Sequence, residues 1–574
     1  MTKTARVLLA MTALIALVDN DAAQAQSPAE DFSRRQDEKA QVQRLDRLKQ
    51  ATPDQTDTGD GISNLPAGQA AGPCFAISRV VIEGAAKASP DEIEHLTEAF
   101  KDRCIGVADI SGLLKALTNL YLDKGFVTSR AYVPPQDIAG TRLLKLTVVE
   151  GTISDIYLNG KPTERNGALT TAFPGMKGKI ANIRDVEQGL DQINRLSSND
   201  AKTSMLPGSK QGTSILNVEN KPGKRWHLIL ANNNLGQEST GYSQSNVSLG
   251  FDDLLGLNDQ LGLSYGHSGP DYPWGGDGDG RSNSYSGNAS IPYGYWTVSV
   301  NGSWYEYDSA VPGNFGPIET SGDSAEIGLG VDRVVNRDKN SITTIRGGLT
   351  YKQTDNFLLG NRIEVGSRRY SVGTIGISHS RQMLGGVFAF DLNLDQGLDL
   401  FDAVAPGEPG AGTADPRFSK FGATVSGTRP FEISGERFEL TTLLSAQYSP
   451  DNLFGAEQIG LGGYSNVRGI RQSVIFGNNG FFSHNEFAWR TTPFEGGQAA
   501  AILGELRPYV GLDFGRVFSQ SRFDIEGGHL ASWTVGAKFV GGSLSADVGY
   551  SKTFTSSVDE GRGNLIFASA TVRW

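Results

Sequence analysis

The sequence predicts a membrane β-barrel of about sixteen antiparallel strands, preceded by two small α+β modules and an N-terminal helix. Three observations carry this prediction. Residues 1–25 read as a secretory signal, and no later apolar run reaches the ~18 residues that a spanning helix needs. An exported chain of this kind is either soluble or a barrel. Between residues 74 and 223 one order of elements, strand, helix, helix, strand, strand, occurs twice. From residue 224 to residue 574 no helical period survives, and segments of about ten residues alternate apolar and polar. Such alternation suits strands with one face on lipid and the other on a wet lumen.

Composition narrows the function classes. At 574 residues the chain is too long for one ordinary core, so several domains are expected. A net charge of -11, with no long Lys/Arg cluster, argues against nucleic acid as a partner, since such surfaces are basic. The six His are scattered and form no pair at ligand spacing, so neither a metal site nor another cofactor is expected.

In the signal, Lys3 and Arg6 form the positive region, residues 7–18 the apolar core and Ala23-Gln24-Ala25 the cleavage site. Residues 26–50 follow as a charged, Ala/Gln-containing helix in which Val42, Leu45 and Leu48 fall three apart and nearly every other face bears charge. A helix that is polar all round either plugs a polar pore or is a solvated tail, and the sequence admits both. Residues 51–73, rich in Gly, Pro, Asp and Thr, read as a linker.

The first module spans residues 74–150, with strands at 77–83, 126–133 and 142–150. Its helices lie at 90–100, capped by Ser89 with Pro90 at the first position, and at 109–124, with Ile110, Leu113, Leu114 and Leu117 aligned and Gly125 as the stop. Cys74 and Cys104 are the only cysteines. In an oxidising compartment they favour a disulfide over two buried thiols. The second module, residues 151–223, places strands at 152–159, 200–206 and 213–220 and helices at 167–173 and 183–197.

The barrel occupies residues 224–574. Its clearest strand puts Trp296, Val298, Val300 and Trp304 on one face, and its last sends Ile566, Ala568, Ala570, Val572 and Trp574 outward. Trp574 is the expected C-terminal barrel signal. Connections alternate short (292–294, 381–382, 429–435, 541–542) and long (268–281, 308–321, 395–417, 447–477), as periplasmic turns and external loops do. The periplasmic turn at 491–505 is longer than usual. Two motifs carry nothing: Gly262-Leu263-Ser264-Tyr265-Gly266 lies inside an alternating strand rather than at a nucleophile elbow, and the Gly/Asp run 275–280 lacks the later ligands of a calcium loop. No enzyme is expected.

The long connection around residues 453–476 falls between strands eleven and twelve. Its Gly-rich centre, 460–470, holds one arginine, Arg468, which is costly in an apolar setting without a partner. Leu506, Val510, Leu512, Phe514 and Phe518 share the lipid-facing parity, so Asp513 points into the lumen, and Gly511 and Gly515 beside it leave room for another backbone. These positions admit a bidentate Arg468–Asp513 pair without requiring it. The alternative is a wet lumenal Asp and a solvated Arg.

At these motifs the chain resembles the outer-membrane translocators of two-partner secretion, the hemolysin secretion/activation family of TpsB type. The likeness lies in Cys74-Phe75-Ala76-Ile77, in the run from Lys124-Gly125-Phe126 to Pro134-Pro135-Gln136, in Val467-Arg468-Gly469, similar to the family's V-R-G-[YF], and in Gly511-Leu512-Asp513-Phe514-Gly515, similar to its [FG]-x-D-x-G. Ile470 departs from the pattern, which has an aromatic there. The resemblance implies two periplasmic POTRA modules, a lumenal latch at 467–470 whose Arg468 pairs with Asp513, and export of one large unfolded exoprotein (adhesin, hemolysin or contact-dependent toxin) across the outer membrane without ATP. It also implies outer-membrane lipids as surroundings, the barrel-assembly machinery as a partner in biogenesis, and a monomer. Phe126, Val127, Tyr132 and Val133 are where a client strand would add to the first module, although each also suits its module's core. A barrel-assembly insertase of the same superfamily and a passive porin are the competing readings.

Overall fold

The computed structural model describes residues 27–52, 74–163, 166–270, 280–311, 316–494 and 496–574. The signal at 1–25, the linker apart from residues 51 and 52, and the Gly/Asp run up to 279 lie outside them. The first described element is the 24-residue helix Pro28–Ala51. Ser27 caps it by accepting the Glu30 amide at 3.3 Å, and Glu30 and Asp31 complement the positive end of its dipole.

Each module packs two helices on a small sheet. In the first, Leu143–Val149 is central, parallel to Arg79–Glu83 and antiparallel to the edge strand Arg130–Tyr132. Leu144, Leu146 and Val148 alternate inward against Ile110, Leu113, Leu117 and Tyr121 of the helix Val107–Asp123. Cys74 and Cys104 are joined in a disulfide, Cα atoms 5.4 Å apart, beside a second ribbon of Phe75–Ile77 and Arg103–Ile105. The strand expected at 126–133 is shorter than its apolar pattern suggests. Gly125 at φ +88° turns the chain, and the Phe126 amide returns to the Tyr121 carbonyl at 2.8 Å, so residues 126–129 close the preceding helix instead of joining the sheet. In the second module the sheet order is Lys161–Pro162, Thr152–Leu158, Thr213–Glu219, Lys202–Pro207, covered by Gly167–Ala172 and Ile183–Asn194.

Sixteen antiparallel strands, from Trp226–Asn233 to Asn564–Arg573, close the barrel, with a two-residue flap at Asn361–Arg362. The parity read from sequence governs the wall: Val510, Leu512 and Phe514 are 53, 57 and 44% exposed, and Asp513 between them is 0% exposed. Strands five to seven, Trp296–Val311, Ile318–Arg337 and Ser341–Leu358, run 16 to 20 residues. Much of the 308–321 segment expected as loop is therefore strand. Apolar alternation marks only the lipid-facing stretch, whereas ladder hydrogen bonds persist beyond it because both neighbours supply partners.

The second module is bolted to the periplasmic rim. Gln188 and Gln192 donate to the Gly294 carbonyl at 3.2 and 2.9 Å, the Tyr295 hydroxyl donates to Asp185 at 2.6 Å, and Arg337 pairs with Asp191 at 2.7 Å. The first and last strands meet through a short ladder from Ile229 opposite Arg573 to Asn233 opposite Ser569.

Candidate functional site: a latch loop and a polar helix in the lumen

Residues 449–479 connect Glu436–Tyr448 to Gly480–Arg490 and fold back into the lumen. A small ladder of Ile459–Leu461 with Ile475–Gly477 forms the stem. At the tip Gly462, Gly463 and Gly469 take φ of +116, +104 and +117°, a region that side chains resist. A Cβ on Gly469 would also lie 2.5 Å from Thr553 Oγ1.

Five aliphatic side chains anchor this hairpin: Ile459, Leu461, Val467, Ile470 and Ile475 pack with Phe482, Val517 and Leu530 of the wall. Ile470, whose missing ring set it apart in the sequence, fits a tight aliphatic site; its Cδ1 lies 2.7 Å from where a Cβ on Gly462 would stand. The aromatic anchor is Tyr464 instead, its ring 5.1 Å from Phe567 at an edge-to-face angle and its hydroxyl donating to Asp547.

Between these two anchors the Arg468 guanidinium meets Asp513, Nε to Oδ2 at 2.7 Å and Nη2 to Oδ1 at 2.9 Å. The Asn485 amide donates to Asp513 Oδ1 at 3.2 Å, Arg468 Nη2 donates to the Asn485 carbonyl at 3.2 Å, and Glu486 lies 3.5 Å from Nη1. Every strong partner of both charges is thus supplied by the fold, which a buried pair requires. Gly511 and Gly515 make the approach possible. A Cβ on Gly511 would stand 2.1 Å from Arg468 Nη2, and one on Gly515 2.5 Å from Leu461 Cδ2.

The N-terminal helix lies inside the lumen alongside the loop. Phe32 stacks on Tyr305 at 4.3 Å, Gln41 donates to Thr424 at 2.9 Å and Lys49 to Ser426 at 2.8 Å. Lys352 on the wall bridges Asp37 of the helix, at 2.6 Å, to Glu457 of the loop, at 2.8 Å. Glu457 also accepts from Tyr370 at 3.0 Å and pairs with Lys420. Helix and loop touch directly as well: Arg34 stands 5.3 Å over the Phe476 ring and Ser465 donates to Glu38 at 3.3 Å. Charges that look wasteful along an isolated helix therefore find partners on a wet wall.

The four residues considered for client binding separate. Tyr132 and Val133, 54 and 40% exposed, lie at the sheet edge, whereas Phe126 packs against Tyr121 and Val127 sits in the turn. Trp574 is 52% exposed and its backbone exchanges hydrogen bonds with Leu228 across the closing seam. Sequence reasoning missed Arg471, which donates to the Asn234 carbonyl at the end of the first strand and stands 4.0 Å over Tyr242. It also missed Lys352, Lys420 and Glu457. Strand parity places the two lysines in the lumen; their shared loop carboxylate has no sequence signal.

Residues 212–539 match the model of the haemolysin secretion/activation protein ShlB/FhaC/HecB family. The chain belongs to this family. Residues 75–151 match its ShlB-type POTRA domain and residues 152–207 a further POTRA domain. Outer membrane transporter CdiB of Escherichia coli is 31% identical over 476 residues, covering 83% of this chain and 78% of the relative. Hemolysin transporter protein ShlB of Serratia marcescens is 31% identical over 448 residues, 77% of this chain and 76% of that protein. The structure of CdiB from Escherichia coli superposes with a TM-score of 0.86 at 29% identity, covering 96% of this chain and 100% of that one. This ShlB/FhaC/HecB-family chain is thus an outer-membrane transporter whose POTRA domains lie in the periplasm.

Proposed function

We propose that the protein exports one large unfolded exoprotein, an adhesin, hemolysin or contact-dependent toxin, with the POTRA domains as the receiving surface and the barrel lumen as the route. The observation that carries this reading is the occupied lumen, where a charged helix and a latch loop share the bridging cation Lys352. A passive porin has no use for such a filling. Transport needs no nucleotide: an extended client adds to an exposed sheet edge such as Arg130–Tyr132, and folding outside makes the passage one-way. In the resting state the helix Pro28–Ala51 is the plug, held by polar contacts that water and a polar client can replace. The Arg468–Asp513 latch holds the loop against the wall while the lumen empties and refills. Lipid surrounds the barrel, the barrel-assembly machinery inserts it, and one copy suffices.

The experiment is a deletion strain examined at its surface. Loss of one large exoprotein, encoded beside this gene, supports the exporter. Loss of many barrels would instead assign the chain to barrel assembly.

A further inference from the structure

The lipid-facing wall between the fifth and eleventh strands is hollowed into a groove of about 870 Å³. Direct cross-strand partners line it: Trp296 is opposite Arg333, Arg333 opposite Ile345, Ile345 opposite Ile377 and Ile377 opposite Leu392. Because such partners share a face, the whole row looks outward. Ile345, Ile377 and Leu392 are accordingly exposed, and Gly347 leaves the hollow open, since a Cβ there would meet nothing within 4 Å.

The two ends of the groove differ. Trp296 lies next to the periplasmic turn at Gly294, so this end sits at the inner interface of the bilayer. At the other end Phe421 and Tyr448, rings 6.4 Å apart, stand beside the external loops. With strands tilted by about 40°, a row of this kind crosses the hydrocarbon diagonally.

Arg333 is a cation on the lipid side of the wall. It keeps the parity of Ile327 and Leu329, which are 57 and 51% exposed, and its guanidinium stacks 4.8 Å over the Trp296 ring. Among the described residues that ring is its one charge-sensitive contact, and no carboxylate pairs with it. A second lipid-facing hollow of about 480 Å³, walled by Leu249, Leu263, Tyr285 and Trp304, has no charged side chain in its lining.

We propose that the larger groove is a glycerophospholipid site. An acyl chain lies along Ile345, Ile375, Ile377 and Leu392, and the phosphate takes the two-pronged donor that Arg333 offers at the inner interface. Charge decides for phospholipid over a second barrel: an apolar partner strand would leave Arg333 unpaired in the interface, whereas a phosphate at that height satisfies it.

The test uses the full chain in detergent micelles with phosphatidylglycerol and a diacylglycerol of identical chains as probes, read by native mass spectrometry. The wild type retains phosphatidylglycerol about fivefold better than diacylglycerol, as one basic side chain at an anionic lipid surface provides. Arg333→Gln brings phosphatidylglycerol down to the diacylglycerol level. Gly347→Leu lowers retention of both, and Gly287→Leu in the second hollow lowers neither. Heat-dependent gel mobility shows that each variant is a folded barrel. Undiminished phosphatidylglycerol binding by folded Arg333→Gln or Gly347→Leu, or lipid-free dimers through this face, would overturn the site.

Discussion

The Arg468 guanidinium and the Asp513 carboxylate form a two-pronged pair with exposures of 1 and 0%. Removing either partner strips the other of its two-pronged bond and leaves weaker contacts, among them Glu486 at 3.5 Å for Arg468 and the Asn485 amide at 3.2 Å for Asp513, a loss of up to about 3–5 kcal/mol. Because Tyr464 and the aliphatic cluster still hold the hairpin, that loss falls on the latch rather than on the wall. Arg468→Ala is expected to leave the amount of folded barrel unchanged and to reduce exoprotein secretion; normal secretion at normal barrel levels would remove the latch from the mechanism. Arg468→Lys restores charge without the fork and rescues only part of the activity.

The helix proposed as a plug shares one wall cation, Lys352, with the loop. Lys352→Glu places a third carboxylate between Asp37 and Glu457, so like charges meet where opposite charges did. Planar-bilayer recordings should show the channel open for a larger fraction of time than in the wild type. The same mostly closed record for both proteins would mean that the helix is held elsewhere.

The disulfide closes a loop with a sequence separation of 30 residues. Chain-entropy arguments put its contribution at about 3–4 kcal/mol. Replacing Cys74 and Cys104 with Ser should render the first module sensitive to protease at concentrations that spare the wild type, while the barrel, which shares none of that core, keeps its heat-modifiable mobility.

Glu92 links acid to helix stability in the first module. Its bond from Lys124 and the Ser89 amide at 2.8 Å hold its carboxyl at about 2, below the usual 4.5. A depressed carboxyl stabilises the fold above its unfolded value, and that stabilisation is lost as pH falls from about 4.5 toward 2. Hydrogen-exchange protection of Pro90–Glu98 should fall between pH 5 and roughly 3 in the wild type and stay level in Glu92→Gln. Equal slopes would assign the acid sensitivity to another group.

Periodicity is a local property, and what it encodes was legible in the chain. Two-residue alternation placed the strands and set Asp513 inward; the repeated element order gave the two modules; Gly511 and Gly515 marked a close approach, but what fills it is the Arg468 and Leu461 side chains rather than a second backbone. The family motif pointed to Arg468 for the same reason, since its residues are adjacent. Strand length was less legible, because beyond the bilayer the ladder no longer demands apolar alternation, as Trp296–Val311 and Ile318–Arg337 illustrate. The N-terminal helix was ambiguous by itself: Asp31, Arg34, Asp37 and Glu38 suit water or a wet pore equally, and only the closed wall with Lys352 on its lumenal face distinguishes them. The tertiary structure alone decided that Tyr464 and not Ile470 carries the aromatic anchor, and that Arg471 reaches the end of the first strand. Those contacts join residues 83 to 237 positions apart, and no local pattern records a neighbour brought in by barrel closure.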